Sequence, residues 1–275
     1  MTITDDGTSP AFSPEFRMSR PLIIGCIASL LAILPAGGGA RAQEAATQQP
    51  IGVVELFTSQ GCSSCPKADK ALETLIREGR VVALAYHVDY WNYLGWTDTL
   101  STKENTERQY DYARMFGRGS VYTPQAVING RAHVNGGELG QIRSQIETLN
   151  AQGRGLSVEV SAEIVQDEIR IRIGNGHGKA NVFAAYFDDQ QDVDIMEGEN
   201  RGRRVTYWHA VRDMETIGMW EGQETTLVLP ASILSQKGTG GCAILVQRMK
   251  TGDTPGAIIG ATVIRPTLPQ TARRQ

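Results

Sequence analysis

The sequence predicts an α/β domain over residues 51–150, followed by an all-β, sandwich-like domain over residues 155–265. In the first part, short apolar runs alternate with amphipathic segments, a pattern typical of βαβ units. In the second part, the hydrophobic period falls to two, beginning at residues 156–160, which is typical of half-buried antiparallel strands. A glycine-containing segment, residues 151–155, separates the two patterns and marks the expected domain boundary.

The composition excludes two broad classes of protein. The chain has 275 residues, and its 27 Lys and Arg against 30 Asp and Glu give a net charge of −3. A nucleic-acid binder would need a concentrated excess of positive charge, so we expect no nucleic-acid partner. Because 41% of the residues are hydrophobic and 21% are charged, a wholly disordered chain is also excluded.

The N-terminal segment, residues 1–42, is predicted to be a signal peptide. Arg17 and Arg20 precede an apolar run over residues 22–34, and small residues lead to an A-x-A cleavage pattern that ends at Ala42. The apolar run is shorter than the roughly 20 residues that a membrane-spanning helix needs. We therefore expect export to the periplasm or beyond, with no stable membrane anchor after cleavage, and an uncleaved anchor is the alternative.

Three further boundaries follow from the ends of the chain. Acidic residues before Met18 do not suit a positively charged signal region, so the natural start is expected at Met18. Residues 43–50 are polar and are interpreted as a linker. Residues 266–275 contain two prolines and are interpreted as a loose tail.

Helix and strand signals follow one another along the whole chain. The first helix carries apolar residues at helical spacing, which places Asp69 on its polar face. A strand, a helix and a second buried strand in succession require a right-handed crossover. The elements predicted in residues 51–150 are strand 51–57, a helix ending at Gly79, strand 81–88, a helix ending near Phe116, strands 123–128 and 131–134, and helix 139–149. The strands predicted beyond them are 156–160, 169–173, 182–187, 225–229, 243–247 and 257–264.

Cys62 and Cys65 lie where the first strand gives way to the N-terminus of the first helix. Backbone N–H groups and the helix dipole favour negative charge there, so a thiolate is stabilised and the cysteine pKa is lowered. The outer thiolate of such a pair can attack a disulfide, and the inner thiol then resolves the mixed disulfide. We assign Cys62 as the accessible nucleophile and Cys65 as the resolving cysteine, while Cys242 is left as a buried, unpaired thiol.

Two other uses of a Cys-X-X-Cys pair remain open at the level of sequence. Exported proteins often use close cysteines as a permanent structural disulfide. A copper or zinc site could use Cys62, Cys65 and His87, although zinc usually takes four protein ligands in a structural site. Thiol–disulfide exchange itself requires no cofactor or metal, and none is predicted.

The order of elements and motifs in residues 51–150 resembles the thioredoxin fold. The resemblance is carried by Cys62-Ser63-Ser64-Cys65, by the Thr123-Pro124 pair before a strand, and by the Asn129-Gly130 hairpin signal. It implies that the first domain is thioredoxin-like, with Pro124 cis and beside the cysteines, and with the Thr123 backbone presented to a bound substrate strand.

The thioredoxin resemblance also gives a role to Glu55, a carboxylate within the first buried strand. In thioredoxins a buried acid in this strand accepts the proton of the resolving thiol. A buried carboxylate is costly without a partner, so the alternative is that Glu55 meets water or an arginine.

Four segments resemble, more narrowly, a family of predicted secreted bacterial proteins of unknown function with a thioredoxin-like domain. They are residues 54–66, 87–91, 122–125 and 198–203. This resemblance implies a fold and a compartment, but no established reaction.

His87 comes at the carboxyl end of a predicted strand, the edge where open α/β sheets usually place their sites. It could tune the Cys62 thiol, bind a metal, or only pack. The sequence as a whole predicts an exported thiol–disulfide oxidoreductase that acts on protein thiols or disulfides and cycles with a redox partner protein. The alternatives are a non-catalytic secreted binding protein with a structural disulfide, and a copper or zinc chaperone.

Overall fold

The computed structural model describes residues 49–237, 240–250 and 254–266. These residues fall in one compact unit. The expected signal peptide, residues 1–42, lies outside the described residues, as do most of the expected linker and nearly all of the expected tail. No helix within the described ranges is long and apolar enough to cross a membrane.

The first half of the described chain forms its elements in the predicted order. Helix α1 follows Cys65 directly and stops at Gly79, which adopts a left-handed φ of 66°. The Thr102 side chain caps α2 by accepting the N–H of Asn105. The elements are β1 (Val53–Thr58), α1 (Pro66–Glu78), β2 (Val82–His87), α2 (Lys103–Met115), β3 (Gln125–Ile128), β4 (Ala132–Asn135) and α3 (Leu139–Ala151).

The second half is built almost entirely of antiparallel strands. Its longest strands, β7 and β8, have 15 and 17 residues and pair with each other as one hairpin. The elements are β5 (Val160–Val165), β6 (Glu168–Ile173), β7 (Ala180–Asp194), β8 (Arg204–Trp220), β9 (Thr225–Pro230), α4 (Ser232–Gln236), β10 (Gly241–Met249) and β11 (Pro255–Ile264).

One mixed sheet of eight strands runs through both halves, in the order β11-β10-β7-β8-β2-β1-β3-β4. The junction is a parallel pairing between β2 and β8, at Ala85 and Ala210. The predicted fold class, a thioredoxin-like α/β domain followed by an all-β sandwich-like domain, is therefore wrong, because the first half does not form a separate domain. The sequence periods identify strands, but they carry no information on which strand β2 pairs with.

Both faces of the large sheet are covered. Helices α1 and α3 pack on one face, where Leu72 and Ile146 meet Val54 and Leu56 of β1. On the opposite face, Tyr112 of α2 joins a cluster that includes residues from β1, β2, β7, β8, β10 and β11. A small second sheet, in the order β5-β6-β9, packs against the β7–β10 part of the large sheet. The cysteines therefore lie at the start of α1, on the face of the sheet that α1 and α3 cover.

Candidate functional site

Cys62 and Cys65 form a disulfide at the N-terminus of α1, with a Cα–Cα distance of 5.4 Å. Cys65 is the N-cap residue, and its carbonyl accepts the N–H groups of Ala68 and Asp69. The pair therefore stands where the helix dipole favours a thiolate after reduction.

Both cysteines are buried, with exposed fractions of 1% for Cys62 and 0% for Cys65. The expectation that Cys62 is accessible is thus not met in the disulfide form. The two serines between the cysteines, Ser63 and Ser64, are exposed. The Sγ atom of Cys62 lies 3.4 Å from Oγ of Ser64, a hydroxyl placed to donate to a thiolate.

The Thr123–Pro124 segment lies beside the start of α1, and its peptide bond is cis. Cβ atoms of Pro124 and Ala68 both lie 3.3 Å from the position that a Cβ on Gly136 would occupy. Trp91 contacts both this segment and the cysteine loop: its Nε1 donates to Oγ1 of Thr123 at 2.8 Å, and its Cβ lies 3.1 Å from the position that a Cβ on Gly61 would occupy.

Asp69 is a buried acid one helical turn after Cys65, and residues at this spacing are neighbours on a helix surface. Its Oδ1 accepts a hydrogen bond of 2.7 Å from Thr58 of β1. Burial raises the pKa of Asp69 to about 7, and the charge of His87 opposes part of that rise. The helical pattern placed Asp69 on the polar face of α1, so its burial at this site was not predicted.

His87 forms a buried ion pair with Asp98, in which Nδ1 and Oδ2 are 2.9 Å apart. Burial lowers the pKa of His87, but the charge and hydrogen bond of Asp98, together with the charge of Asp69, outweigh burial and raise the pKa. Burial raises the pKa of Asp98, but the charge and hydrogen bond of His87, together with main-chain hydrogen bonds, outweigh burial and lower the pKa. Oδ2 of Asp98 also accepts the N–H of Gln60, which anchors the segment before Cys62.

Three buried polar atoms near this ion pair have no hydrogen-bond partner in the described part of the chain. They are Oδ2 of Asp69, Nε2 of His87 and Oη of Tyr207. The rings of His87 and Tyr207 meet edge to face, with centroids 4.7 Å apart. Asp69, His87 and Asp98 thus form a buried cluster of titratable side chains near the start of α1.

Glu55 lies in a different buried network, on the opposite face of the sheet. Side chains alternate along β1, so Val54 and Leu56 face α1 while Glu55 faces α2. Its carboxylate accepts from Nε of Arg108 at 2.7 Å and from the hydroxyl of Tyr112. The structure thus pairs Glu55 with an arginine, the alternative that the sequence left open.

The loop of residues 195–203 joins β7 to β8 and touches the cysteine segment from the other half of the chain. We call it the β7–β8 loop. Oε2 of Glu199 accepts the N–H of Ser63 at 3.1 Å, and hydrogen bonds from the Ser63 side chain and main chain lower the pKa of Glu199. Nδ2 of the buried Asn200 donates to the carbonyls of Gln60 and Cys62, at 2.9 Å each.

The β7–β8 loop is held in shape by its own turns. Gly198 and Gly202 adopt positive φ values of 76° and 81°, which other residues rarely take. The sequence singled out residues 198–203 only by resemblance. No local signal showed that they contact the cysteines, because that contact spans more than 130 positions.

Two further features, Cys242 and a cavity beside α2, lie away from this site. Cys242 is a buried free thiol, and burial raises its pKa to about 12. Over the ranges that the structure describes, no group of three or more His, Cys, Asp or Glu side chains is arranged to hold a metal ion. A cavity of about 460 Å³ lies between α2 and the β7–β8 hairpin, with Asn105, Arg108 and Met214 in its lining. None of its lining residues belongs to the disulfide site.

The fold and the site define a class of protein in which a β-rich, mixed-sheet unit carries a disulfide at a helix N-terminus. The chain belongs to the family described as "Protein of unknown function (DUF1223)", whose model matches residues 53–247. That range includes both cysteines and the β7–β8 loop.

One solved structure is similar over most of the chain. It is the crystal structure of a structural-genomics target from Agrobacterium tumefaciens, which is 50% identical, with a TM-score of 0.75. The match covers 81% of this chain and 97% of that protein. No curated protein matches the sequence.

Proposed function

We propose that this protein is an exported thiol–disulfide oxidoreductase that uses Cys62 and Cys65 on protein substrates. The observation that carries the proposal is the position of the pair, at the N-terminus of α1 and one turn before the buried acid Asp69. Export to an oxidising compartment is part of the proposal, and it rests on the N-terminal sequence pattern.

The exchange takes place through a mixed disulfide. The thiolate of Cys62 attacks one sulfur of a protein disulfide, and the other substrate sulfur leaves as a thiolate that takes a proton from water. Cys65 then loses its proton and attacks Sγ of Cys62, which releases the second substrate sulfur. Two electrons have passed to the substrate, and the Cys62–Cys65 disulfide has formed. A dithiol partner protein reverses the cycle.

Asp69 is the proposed proton acceptor for Cys65. A general base works best when its pKa is near the working pH, and burial brings the pKa of Asp69 to about 7. Thr58 fixes one carboxylate oxygen, and the second has no hydrogen-bond partner within the described residues. The ion pair of His87 with Asp98 keeps positive charge near the carboxylate that Asp69 becomes when it ionises.

A second candidate function has an observation of its own. Both sulfurs are buried, which is the environment of an inert structural disulfide in a non-catalytic secreted protein. Exchange with a protein substrate requires the exposed Ser63–Ser64 segment, or the β7–β8 loop that holds it, to move.

Replacement of the nucleophile separates the two candidates. The purified protein should accelerate the reduction of insulin by dithiothreitol, and Cys62→Ala should abolish that acceleration. Cys242→Ala is the matched control, because it removes a buried thiol far from α1 and should leave the rate unchanged. Equal acceleration by Cys62→Ala and wild type would refute the assignment. No acceleration by wild type would favour the structural disulfide.

A further inference from the structure

Glu199 places a negative charge next to the cysteine pair from a distant part of the chain. Its carboxylate accepts the main-chain N–H of Ser63, the residue that follows Cys62. The exchange chemistry proposed above does not use this contact. Asn200 fixes the loop in place, since its amide donates to the carbonyls on both sides of Gly61.

The contact has an electrostatic consequence that depends on the redox state. Reduction by a dithiol breaks the Cys62–Cys65 bond, and the pair gains two electrons while the dithiol becomes a disulfide. When Cys62 ionises after reduction, it becomes a second negative charge near Glu199. Like charges at short range disfavour the ionised form. The N–H of Ser63 is also engaged by Glu199, so it is not free to donate to the thiolate.

We propose that Glu199 is a positioning residue that shifts the balance of the Cys62–Cys65 couple toward the disulfide. The proposal rests on the redox function proposed above and adds a direction to it. A pair that favours its disulfide is a stronger reductant when reduced, so the protein would reduce the disulfides of its partners. The β7–β8 loop would thereby give the second half of the chain a role in the redox site.

The charge of Glu199 can be tested apart from its hydrogen bond. Glu199→Gln keeps an oxygen that can accept the Ser63 N–H but removes the negative charge. Glu197→Gln is the matched control, because Glu197 is an exposed carboxylate of the same loop, lying against Gly95. Both side chains are exposed, so neither substitution should prevent folding.

The measurement is the equilibrium of each purified variant with a dithiothreitol redox buffer, read by alkylation of the free thiols. We expect the equilibrium constant for reduction to rise roughly two- to fivefold in Glu199→Gln, the size usual for exposed charge pairs. The difference between Glu199→Gln and wild type should shrink in about 1 M salt, where the Debye screening length is only about 3 Å. The thiolate absorbance of reduced Cys62 should also appear at lower pH in Glu199→Gln.

Two results would overturn this inference: no shift in Glu199→Gln, or an equal shift in Glu197→Gln. These results are distinct from failure of the proposed function. A protein that does not accelerate insulin reduction still has a measurable thiol–disulfide equilibrium, and Glu199 either shifts that equilibrium or does not.

Discussion

At the scale of single residues, Asp69 links the stability of the fold to pH. Its carboxyl has an ordinary pKa of 3.8, and burial raises that pKa to about 7. Between these values, the folded protein holds a proton that the unfolded chain has lost. The contribution of Asp69 to the free energy of unfolding therefore falls as the pH rises through this window. Within this cluster the charges of His87 and Asp98 act on Asp69, and Tyr207 and Arg212 are further groups that interact with its members.

Replacing Asp69 should remove this pH dependence. Between about pH 4 and pH 8, wild type should lose about 2–4 kcal/mol more stability than Asp69→Asn. Urea unfolding at the two pH values measures the difference. Asp167→Asn, which removes an exposed carboxylate, should follow wild type. The same pH dependence in wild type and Asp69→Asn would show that Asp69 titrates normally.

Some residues of the site could be read from the sequence, and others could not. Cys62, Cys65 and Pro124 stand out because each is adjacent to a recognisable local element. Asp69 did not stand out, because its helix shows a normal apolar stripe that places it among polar residues. It is buried because α1 also packs against β8, a strand more than 120 residues further along the chain.

At the scale of elements, the turn at Gly136 lets α1, β1 and the Pro124 segment approach one another. A Cβ at this position would overlap Cδ1 of Leu56 and would lie 3.3 Å from Cβ atoms of Ala68 and Pro124. Close packing therefore requires a residue without a side chain at this position. Two of the three contacts come from elements that form the disulfide site.

Gly136→Ala should destabilise the protein by about 1–3 kcal/mol, since an added methyl group overpacks a filled space. Gly140→Ala, in the first turn of α3, is the matched control. A Cβ there meets nothing within 4 Å, so it should stabilise the helix by about 0.4–1 kcal/mol. Denaturant midpoints measure both effects. Equal midpoints for the two variants would contradict the packing account.

Element prediction succeeded where the signal was local. The helices and strands of residues 51–150 occur in the predicted order, because caps, prolines and glycines mark their ends. Strand β8 was missed, and β7 was predicted only in its buried part, residues 182–187. The outer part of this hairpin is exposed and polar, so the alternation that predicts a half-buried strand is weak there.

At the scale of the whole molecule, the parallel pairing of β2 with β8 makes the two halves one folding unit. The core on the α2 face combines Phe57 and Leu84 of the first half with Phe187 and Leu245 of the second. No local sequence pattern predicts that β2 pairs with a strand so distant in sequence, so two separate domains were predicted. Residues 51–150 alone would expose this apolar surface and the edge of β2.

The joined sheet should unfold in a single transition. Unfolding in urea, followed by tryptophan fluorescence and by far-UV circular dichroism, should give coincident curves. Trp91 and Trp96 report on the first half, and Trp208 and Trp220 report on the second. Within each variant that keeps only one of these pairs, the fluorescence midpoint should match the circular dichroism midpoint, whereas different midpoints for the two probes would mean that the halves unfold independently.

The reduction potential of the Cys62–Cys65 couple tests the central claim most directly. Equilibration with dithiothreitol buffers of known potential, followed by alkylation and mass measurement, gives the value for the intact protein. A pair that exchanges with protein substrates should titrate above about −300 mV. A pair that stays oxidised well below about −300 mV would behave as a permanent structural disulfide and would contradict the redox function.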